Sequence, residues 1–436
     1  MKHIDRQILQ IALPSIVSNI TVPLLGLIDV AIVGHLGSPA YIGAIAVGGM
    51  LFNIIYWIFG FLRMGTSGMT SQAYGKRDLP EIVRLLMRSV GIGLAVALCL
   101  ILLQVPIRQT AFLIIHPTAE VREMATLYFH ICIWGAPAML GLYGLSGWFI
   151  GMQNSRIPMY IAITQNIVNI IASLSFVCFF KMKVEGVAFG TLIAQYAGFI
   201  MGLVLWMSRY GKLKKYILWK GVLQKEAMMR FFQVNRDIFL RTLCLVTVTL
   251  FFTSAGASQG EIILAVNTLL MQLFTLFSYV MDGFAYAGEA LSGRYIGARN
   301  RKAFTNTTRH LFIWGGWLAA FFTLVYALGG NAFLGLLTDN KDVVSAAGTY
   351  FYWALAIPVA GIAAFIWDGI FIGATATRGM LASMAIAAIS FFVVYYGLRP
   401  VLGNHALWLA FLVYLAMRGV VQTCLLYTSP SPRDTR

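Results

Sequence analysis

The segment ICIWGAPAMLGLYGLSGWFIGM, residues 131–152, carries no charged side chain over its whole length. A helix needs about 20 apolar residues to cross a lipid bilayer, so this segment is long enough to span one. It contains the tripeptide FIG at Phe149–Gly151, and the same tripeptide occurs at Phe371–Gly373 in a second apolar run. The segment therefore predicts a membrane protein, and its recurrence predicts that the chain contains a repeat.

The composition of the whole chain favours the same interpretation. Of the 436 residues, 59% belong to the hydrophobic set and 11% are charged, and the mean hydropathy is +0.78. Soluble globular domains carry roughly 25% charged residues. The composition therefore excludes a soluble globular protein, and it leaves no room for a soluble catalytic domain beside the spans.

Twelve apolar runs of membrane-spanning length follow one another along the chain. They begin near Leu9, Tyr41, Arg84, Met124, Met159, Gly186, Ile238, Ile262, Phe304, Ala346, Met380 and Ala406. We therefore predict an all-α polytopic membrane protein with twelve transmembrane helices in two pseudo-symmetric six-helix lobes.

The two lobes are predicted from an internal repeat. The repeat shift, defined as the displacement along the chain that carries Gly75 to Gly297, also matches other loop positions in the two halves: Arg77 with Arg299, the two FIG segments, and Arg156 with Arg378. Because each half contains an even number of spans, the two copies cross the membrane in the same direction. The predicted parts are an N-terminal lobe at 1–207, a basic cytoplasmic linker at 208–235 and a C-terminal lobe at 236–423.

The end of the chain, residues 424–436, has a different character. The string CLLYTSPSPRD, Cys424–Asp434, resembles a translated sequencing adapter, and the apolar pattern of the last span breaks at Thr428. We therefore expect residues 424–436 to be a non-native tail, and the native chain to continue differently beyond about residue 422.

The distribution of positive charge predicts the orientation in the membrane. One side holds only Arg108, Arg122, Lys181, Lys183, Lys341 and Arg399. The other side holds both ends of the chain, a basic run from Arg209 to Arg241, and Arg418. Cytoplasmic loops are enriched in Lys and Arg, so both termini are predicted to be cytoplasmic in a cell inner membrane. The net charge of +16 is thereby assigned to the cytoplasmic loops and not to a nucleic-acid partner; the expected partners are the transported small molecules and membrane lipids.

Ionisable side chains within the predicted spans are candidate functional residues, because each costs about 2.5 to 3.5 kcal/mol to insert. These residues are Asp29, Arg63, Asp282, Glu289 and Asp368. Asp29 lies near the middle of the first span, where desolvation disfavours the charged carboxylate and allows it to bind and release a proton. The alternative is a permanent pairing of Asp29 with Arg63 that only joins two helices.

The remaining carboxylates leave several roles open. Asp282 and Glu289 are two helical turns apart and share a helix face, which suggests a common pocket in the second half. Glu289 also lies near the predicted cytoplasmic end, where solvent would explain its charge. Asp368 is assigned to a helix end or to a contact between helices, and Arg63 to helix pairing.

Asn169 and Ser173 lie one helical turn apart on the fifth span. Their oxygens can coordinate a small cation or relay hydrogen bonds to a carboxylate. The alternative is that these polar groups only hold transmembrane helices together. The sequence carries no catalytic constellation, since His130 stands alone on its helix and no GxxxxGK[ST] loop is present. It predicts neither an enzyme nor a cofactor, and H⁺ or Na⁺ would act as a coupling ion.

Five ordered segments resemble the multidrug and toxic compound extrusion (MATE) family, and within it the DinF-like branch. They are LIDVAIVGHLG (27–37), FLRMGTSGMTSQAYGKRD (61–78), GMQNSRIP (151–158), DGFAYAGEALSGRYIGARN (282–300) and DGIFIGAT (368–375). The resemblance implies a secondary antiporter with two six-helix lobes. Such a protein exports drugs and other amphipathic, often cationic organic compounds in exchange for H⁺ or Na⁺, and we expect it to be a monomer.

The resemblance also implies roles for individual residues. Asp29 matches the family's first-helix carboxylate, Asn169 its fifth-helix asparagine, and Thr191 a sixth-helix hydroxyl of the same cation-binding lobe. Ser173 departs from the pattern, because several relatives carry a second carboxylate there. Affinity for a hard cation rises with the number of charged ligands, so we expect H⁺ coupling in preference to Na⁺. A lipid-precursor flippase of the same wider superfamily is the alternative function, although it would require a more basic groove than Arg63 supplies.

Overall fold

The computed structural model describes residues 3–428, and within that range every regular element is a helix. The α-helices are α1 (His3–Gly34), α2 (Pro39–Ile58), α3 (Phe61–Lys76), α4 (Leu79–Leu102), α5 (Gln104–Ile115), α6 (Ala119–Cys132), α7 (Ala136–Gly151), α8 (Arg156–Cys178), α9 (Val184–Arg209), α10 (Lys225–Ala257), α11 (Glu261–Gly297), α12 (Arg301–Leu337), α13 (Lys341–Gly373), α14 (Thr377–Leu402) and α15 (Asn404–Thr428). Two short 3₁₀ helices lie at Ile133–Gly135 and Gly211–Tyr216.

Among the described residues, 12 helical segments are long and apolar enough to cross a membrane. They correspond in order to the twelve predicted runs, so the prediction of an all-α protein with twelve transmembrane helices is confirmed. Two spans of the first half are interrupted: α2 with α3 forms one, and α6 with α7 forms the other. Their counterparts in the second half, α11 and α13, are continuous, and α13 passes through Pro358.

The helices form two compact units. One unit is Val17–Asn235, and the other combines the start of the chain, up to Ile16, with the residues from Arg236 onward. Helix α1 therefore contributes to both units, whereas the predicted N-terminal lobe contained all of it. The linker residues up to 235 belong with the first of these units. Of the predicted tail 424–436, residues 424–428 continue α15, and the rest lies outside the described residues.

Specific contacts explain why the first turns of α1 belong with the second half of the chain. Asp5 Oδ1 lies 2.8 Å from His310 Nδ1 of α12 and accepts a hydrogen bond from Trp314 Nε1 at 3.1 Å. The Tyr295 hydroxyl of α11 donates to Gln7 Oε1 at 2.7 Å. These polar contacts fix the start of α1 to α11 and α12.

The repeat is visible in the backbone. Arg77 and Arg299 have φ angles of 58° and 56°, and Gln153 and Thr375 have φ angles of 68° and 53°. The repeat shift relates the two members of each pair. Each of these left-handed residues lies just beyond the end of a helix, where such a conformation satisfies the last carbonyl groups. The two halves therefore end equivalent helices in the same way.

The helix crossings repeat as well. A Cβ atom added at Gly147 of α7 would overlap the Arg63 carbonyl of α3, and one added at Gly369 of α13 would overlap the Ala285 carbonyl of α11. The repeat shift carries the first of these crossings onto the second. Glycine at these positions lets the two helix backbones touch, which is a common way of packing helices in a membrane.

Candidate functional site

Asp29 is a buried carboxylate held by two neutral side chains. It lies in α1 and is 3% exposed. Its Oδ1 accepts a hydrogen bond from Asn169 Nδ2 of α8 at 2.9 Å, and its Oδ2 accepts one from Thr191 Oγ1 of α9 at 3.0 Å. Both donors are buried. Three helices thus converge on a single carboxylate within the first unit.

Ser173 extends this arrangement by one more side chain. Its hydroxyl donates to Asn169 Oδ1 at 3.3 Å, while the same amide donates through Nδ2 to Asp29. The result is a continuous series of hydrogen bonds from Ser173 through Asn169 to Asp29. The structure therefore brings together Asp29, Asn169 and Ser173, which the sequence pattern had singled out, and Thr191, which the family resemblance had added to the coupling group.

A glycine makes this convergence possible. A Cβ atom at Gly190 would overlap the Ser173 hydroxyl and lie 2.9 Å from the Ser173 backbone nitrogen. Gly190 directly precedes Thr191 in α9. Because Gly190 has no side chain, α8 and α9 approach closely enough for Asn169 and Thr191 to reach the same carboxylate.

The guanidinium of Arg63 takes no part in this cluster. The hydrogen bonds to both oxygens of Asp29 come from an amide and a hydroxyl, and within residues 3–428 Asp29 forms no ion pair with Arg63. The alternative of a permanent ion pair is therefore not the arrangement found. Arg63 lies in α3, where its carbonyl faces Gly147 of α7.

Asp368 is surrounded very differently. Its Oδ2 accepts hydrogen bonds from Arg241 Nη2 of α10 and Arg418 Nη2 of α15, and its Oδ1 accepts one from Gln422 Nε2 at 2.7 Å. All four side chains are buried. Asp368 is thus an interhelical ligand that connects α10, α13 and α15 through charge-assisted hydrogen bonds.

Sequence reasoning missed both partners of this carboxylate. It counted Arg241 and Arg418 among the exposed cytoplasmic cations, but they are 6% and 3% exposed. Each arginine lies on the buried face of its helix, where it donates a hydrogen bond to the Asp368 carboxylate of α13. The signal that could have revealed Arg418 is the presence of Gln422 one turn later on the same face.

Asp282 and Glu289 both lie on α11, and the structure places them in the second unit with Asp368. Asp282 is partly exposed, whereas Glu289 is 2% exposed. The expectation that solvent surrounds Glu289 is therefore wrong. A Cβ atom added at Gly373 of α13 would overlap the Glu289 carbonyl, so this residue lies where two helix backbones meet.

The second unit has no copy of the Asp29 cluster at the equivalent positions. The repeat shift carries Asp29 to Phe251, Asn169 to Phe391 and Ser173 to Tyr395. These rings contact one another, with centroids 5.9 Å apart for Phe251 and Phe391 and 5.3 Å apart for Phe251 and Tyr395. The same helix contact is therefore polar in the first unit and aromatic in the second.

The twelve apolar helices within residues 3–428 and the repeat define a multi-pass membrane protein with two related halves. The MatE family pattern matches residues 14–174 and again residues 238–398. DNA damage-inducible protein F of Escherichia coli (strain K12) is 39% identical over 420 residues, which cover 95% of this chain and 90% of that protein. The chain therefore belongs to the MatE family, and its resemblance to the DinF-like branch is confirmed.

More distant relatives share the length and the fold. The probable multidrug resistance protein NorM of Synechococcus sp. is 21% identical over 421 residues, covering 92% of this chain and 88% of that protein. The solved structure described as MATE in the bent conformation has a TM-score of 0.86 at 18% identity, covering 97% of this chain and 94% of that one. Members of this family are transporters of small molecules and not enzymes.

Proposed function

We propose that this protein is a secondary active antiporter of the inner membrane, with both termini in the cytoplasm. It exports amphipathic organic cations by alternating access, and H⁺ binds Asp29 in exchange. The family membership and the name of the NorM relative, a probable multidrug resistance protein, support drugs as the substrates. The distribution of Lys and Arg supports the orientation.

The observation that carries this proposal is the contrast between two buried aspartates. The hydrogen-bond donors around Asp29 are a neutral amide and a neutral hydroxyl. Protonation of Asp29 would therefore leave no buried cation without a counter-charge. Protonation of Asp368 would leave two buried guanidinium groups facing a neutral acid. Asp29 is thus the carboxylate that can exchange a proton at low cost.

The same cluster favours H⁺ over Na⁺. A sodium ion prefers several oxygen ligands, and its affinity increases with their negative charge. Asp29 supplies the only formal charge in the group of four residues. The Asn169 amide directs its Nδ2 at the carboxylate and its oxygen at Ser173. This arrangement suits a proton on the carboxyl group better than a metal ion beside it.

One proton per cycle supplies useful energy. Exchange of one H⁺ for one singly charged organic cation moves no net charge, so the membrane potential cancels and the pH gradient supplies about 1.4 kcal/mol per pH unit. Proton entry through Asp29 can therefore drive the export of a substrate against a modest concentration gradient. Release of the proton to the cytoplasm would return the transporter to the state that binds substrate.

Dye counterflow in proteoliposomes tests the proposal. The purified protein is reconstituted with a fluorescent organic cation, and pH and Na⁺ gradients are imposed separately. We expect the pH gradient to drive transport by the parent protein and by the control Asp339→Asn, which removes an exposed loop carboxylate. We expect Asp29→Asn to lose gradient-driven transport. Full gradient-driven transport by Asp29→Asn would make Asp29 a structural residue and disprove the mechanism.

A further inference from the structure

The segment between α9 and α10, residues 210–224, is docked on the first unit by a buried arginine. Arg88 of α4 is 3% exposed and donates through Nε to the Val222 carbonyl at 3.0 Å and through Nη2 to the Gly221 carbonyl at 3.4 Å. Val222 is 2% exposed. These contacts fix one side of the segment against α4, and its other side faces outward.

The outward side combines large apolar side chains with lysines. Leu218, Trp219 and Leu223 are 62%, 73% and 73% exposed. The neighbouring exposed lysines are Lys212, Lys214, Lys215 and Lys220. Three large apolar side chains exposed together on one short segment indicate a surface that contacts a membrane or another molecule.

The position of the segment identifies what covers it. Helix α9 ends at Arg209 and α10 begins at Lys225, and both helices are membrane spans. The segment therefore lies at the boundary between lipid and water. Tryptophan is enriched at this boundary, where its ring contacts the headgroup region. Clustered lysines near a membrane attract the phosphates of anionic lipids.

We propose that residues 210–224 form an interfacial anchor that binds anionic lipid. Leu218, Trp219 and Leu223 enter the upper part of the bilayer, and the lysines contact lipid phosphates. Because Arg88 holds the opposite side, the anchor keeps the adjoining parts of α4, α9 and α10 at a fixed depth. This role is independent of the coupling ion and of the exported substrate.

The chain offers a matched control. The segment Ala298–Lys302, which comprises the turn after α11 and the first two residues of α12, is also exposed and basic, with Arg299, Arg301 and Lys302. It carries no large apolar side chain. If charge alone gathers anionic lipid at this protein, the two segments should behave alike. If the combined surface is required, only residues 210–224 should hold anionic lipid next to an inserted Trp219.

Quenching of Trp219 by brominated lipids tests the anchor. The full chain is placed at one copy per nanodisc in mixtures of phosphatidylcholine and phosphatidylglycerol, with bromine on the acyl chains of one lipid at a time. The signal of Trp219 is the difference between the parent and Trp219→Phe. We expect about twofold stronger quenching when phosphatidylglycerol carries the bromine than when phosphatidylcholine does at equal mole fraction.

Two triple variants identify the groups responsible. We expect the combined substitution of Lys212, Lys214 and Lys215 by Gln to bring the ratio of the two quenching signals to about one. The combined substitution of Arg299, Arg301 and Lys302 by Gln should leave the ratio unchanged. Three results would overturn the proposal: no quenching of Trp219 by either lipid, equal quenching by both lipids in the parent, or an equal loss of preference in the two triple variants.

Discussion

Replacing Asp368 with Asn should destabilise this protein far more than replacing Asp29 with Asn, although both aspartates are buried in membrane-spanning helices. Asn has the shape of Asp but no charge. At position 368 it would leave Arg241 and Arg418 buried without their shared counter-charge. Removing one partner of a buried ion pair costs about 3 to 5 kcal/mol, which lowers the folding equilibrium by between about 100-fold and several thousand-fold.

The expected cost at position 29 is smaller. An amide oxygen there can still accept the hydrogen bond from Asn169, and the new amide nitrogen can donate to the Thr191 hydroxyl, which rotates freely. No charged group loses its partner. We therefore expect a loss of about 1 kcal/mol, the usual net value of one rearranged neutral hydrogen bond.

Reversible unfolding in mixed detergent micelles measures both changes on the full chain. The free energy of unfolding should fall strongly for Asp368→Asn and little for Asp29→Asn, whereas gradient-driven transport should be lost in Asp29→Asn. A double variant that also carries Arg241→Met should recover part of the stability lost in Asp368→Asn, since one unpaired guanidinium is removed. Equal destabilisation by the two single substitutions would refute the distinction between the two carboxylates.

Three further predictions concern the packing and charge of the described helices. Gly190→Ala should displace Ser173, reduce proton-driven transport and lower the free energy of unfolding by about 1 to 3 kcal/mol. Dye counterflow and thermal unfolding measure the two effects, and unchanged transport would contradict the prediction. Ser173→Asp should add a second carboxylate and make dye counterflow respond to a Na⁺ gradient, because affinity for a hard cation rises with the number of charged ligands. The absence of a response to Na⁺ would contradict this explanation of the preference for H⁺. Gly369→Ala should lower the melting temperature while Gly329→Ala, which meets open space, should not; equal melting temperatures would exclude a close crossing at Gly369.

Hydropathy was enough to predict the twelve spans, because a bilayer requires long apolar helices and leaves few alternatives. It did not predict the interruptions between α2 and α3 or between α6 and α7. Gly60 lies at the first break and Gly135 at the second, whereas the repeat shift places Asp282 and Ile357 at these positions in the unbroken helices α11 and α13. Glycine is less favourable than other residues inside a helix, by about 1 kcal/mol relative to alanine. Mean hydropathy therefore predicts that a span exists, but it does not predict whether the helix is continuous.

The candidate site was partly predictable for a comparable reason. Asp29 stands out because a carboxylate within an apolar helix is costly, and that cost is a local property of the sequence; the structure places it in the last turns of α1 and not, as the sequence had predicted, in the middle of the span. The partners of Asp368 are not local, since Arg241 and Arg418 are 127 and 50 residues away from it along the chain. A residue near the end of a span can face water or a buried counter-charge, and its sequence neighbours are the same in both cases.

Comparison of the two halves shows that the repeat preserves backbone features and not the side-chain chemistry of the helix contacts. Two backbone features occur in both halves. One is the residue with positive φ after a helix, at Arg77 and Arg299, and the other is the close helix crossing at a glycine, at Gly147 and Gly369. The contact between the first and fifth helix of each half depends on side-chain chemistry, and there the Asp29 cluster of one half corresponds to an aromatic cluster in the other. An aromatic cluster packs well but cannot exchange a proton. The scaffold is therefore duplicated, whereas a buried carboxylate with neutral hydrogen-bond donors at this contact belongs to one half, and for this reason we place the proposed proton coupling at α1, α8 and α9.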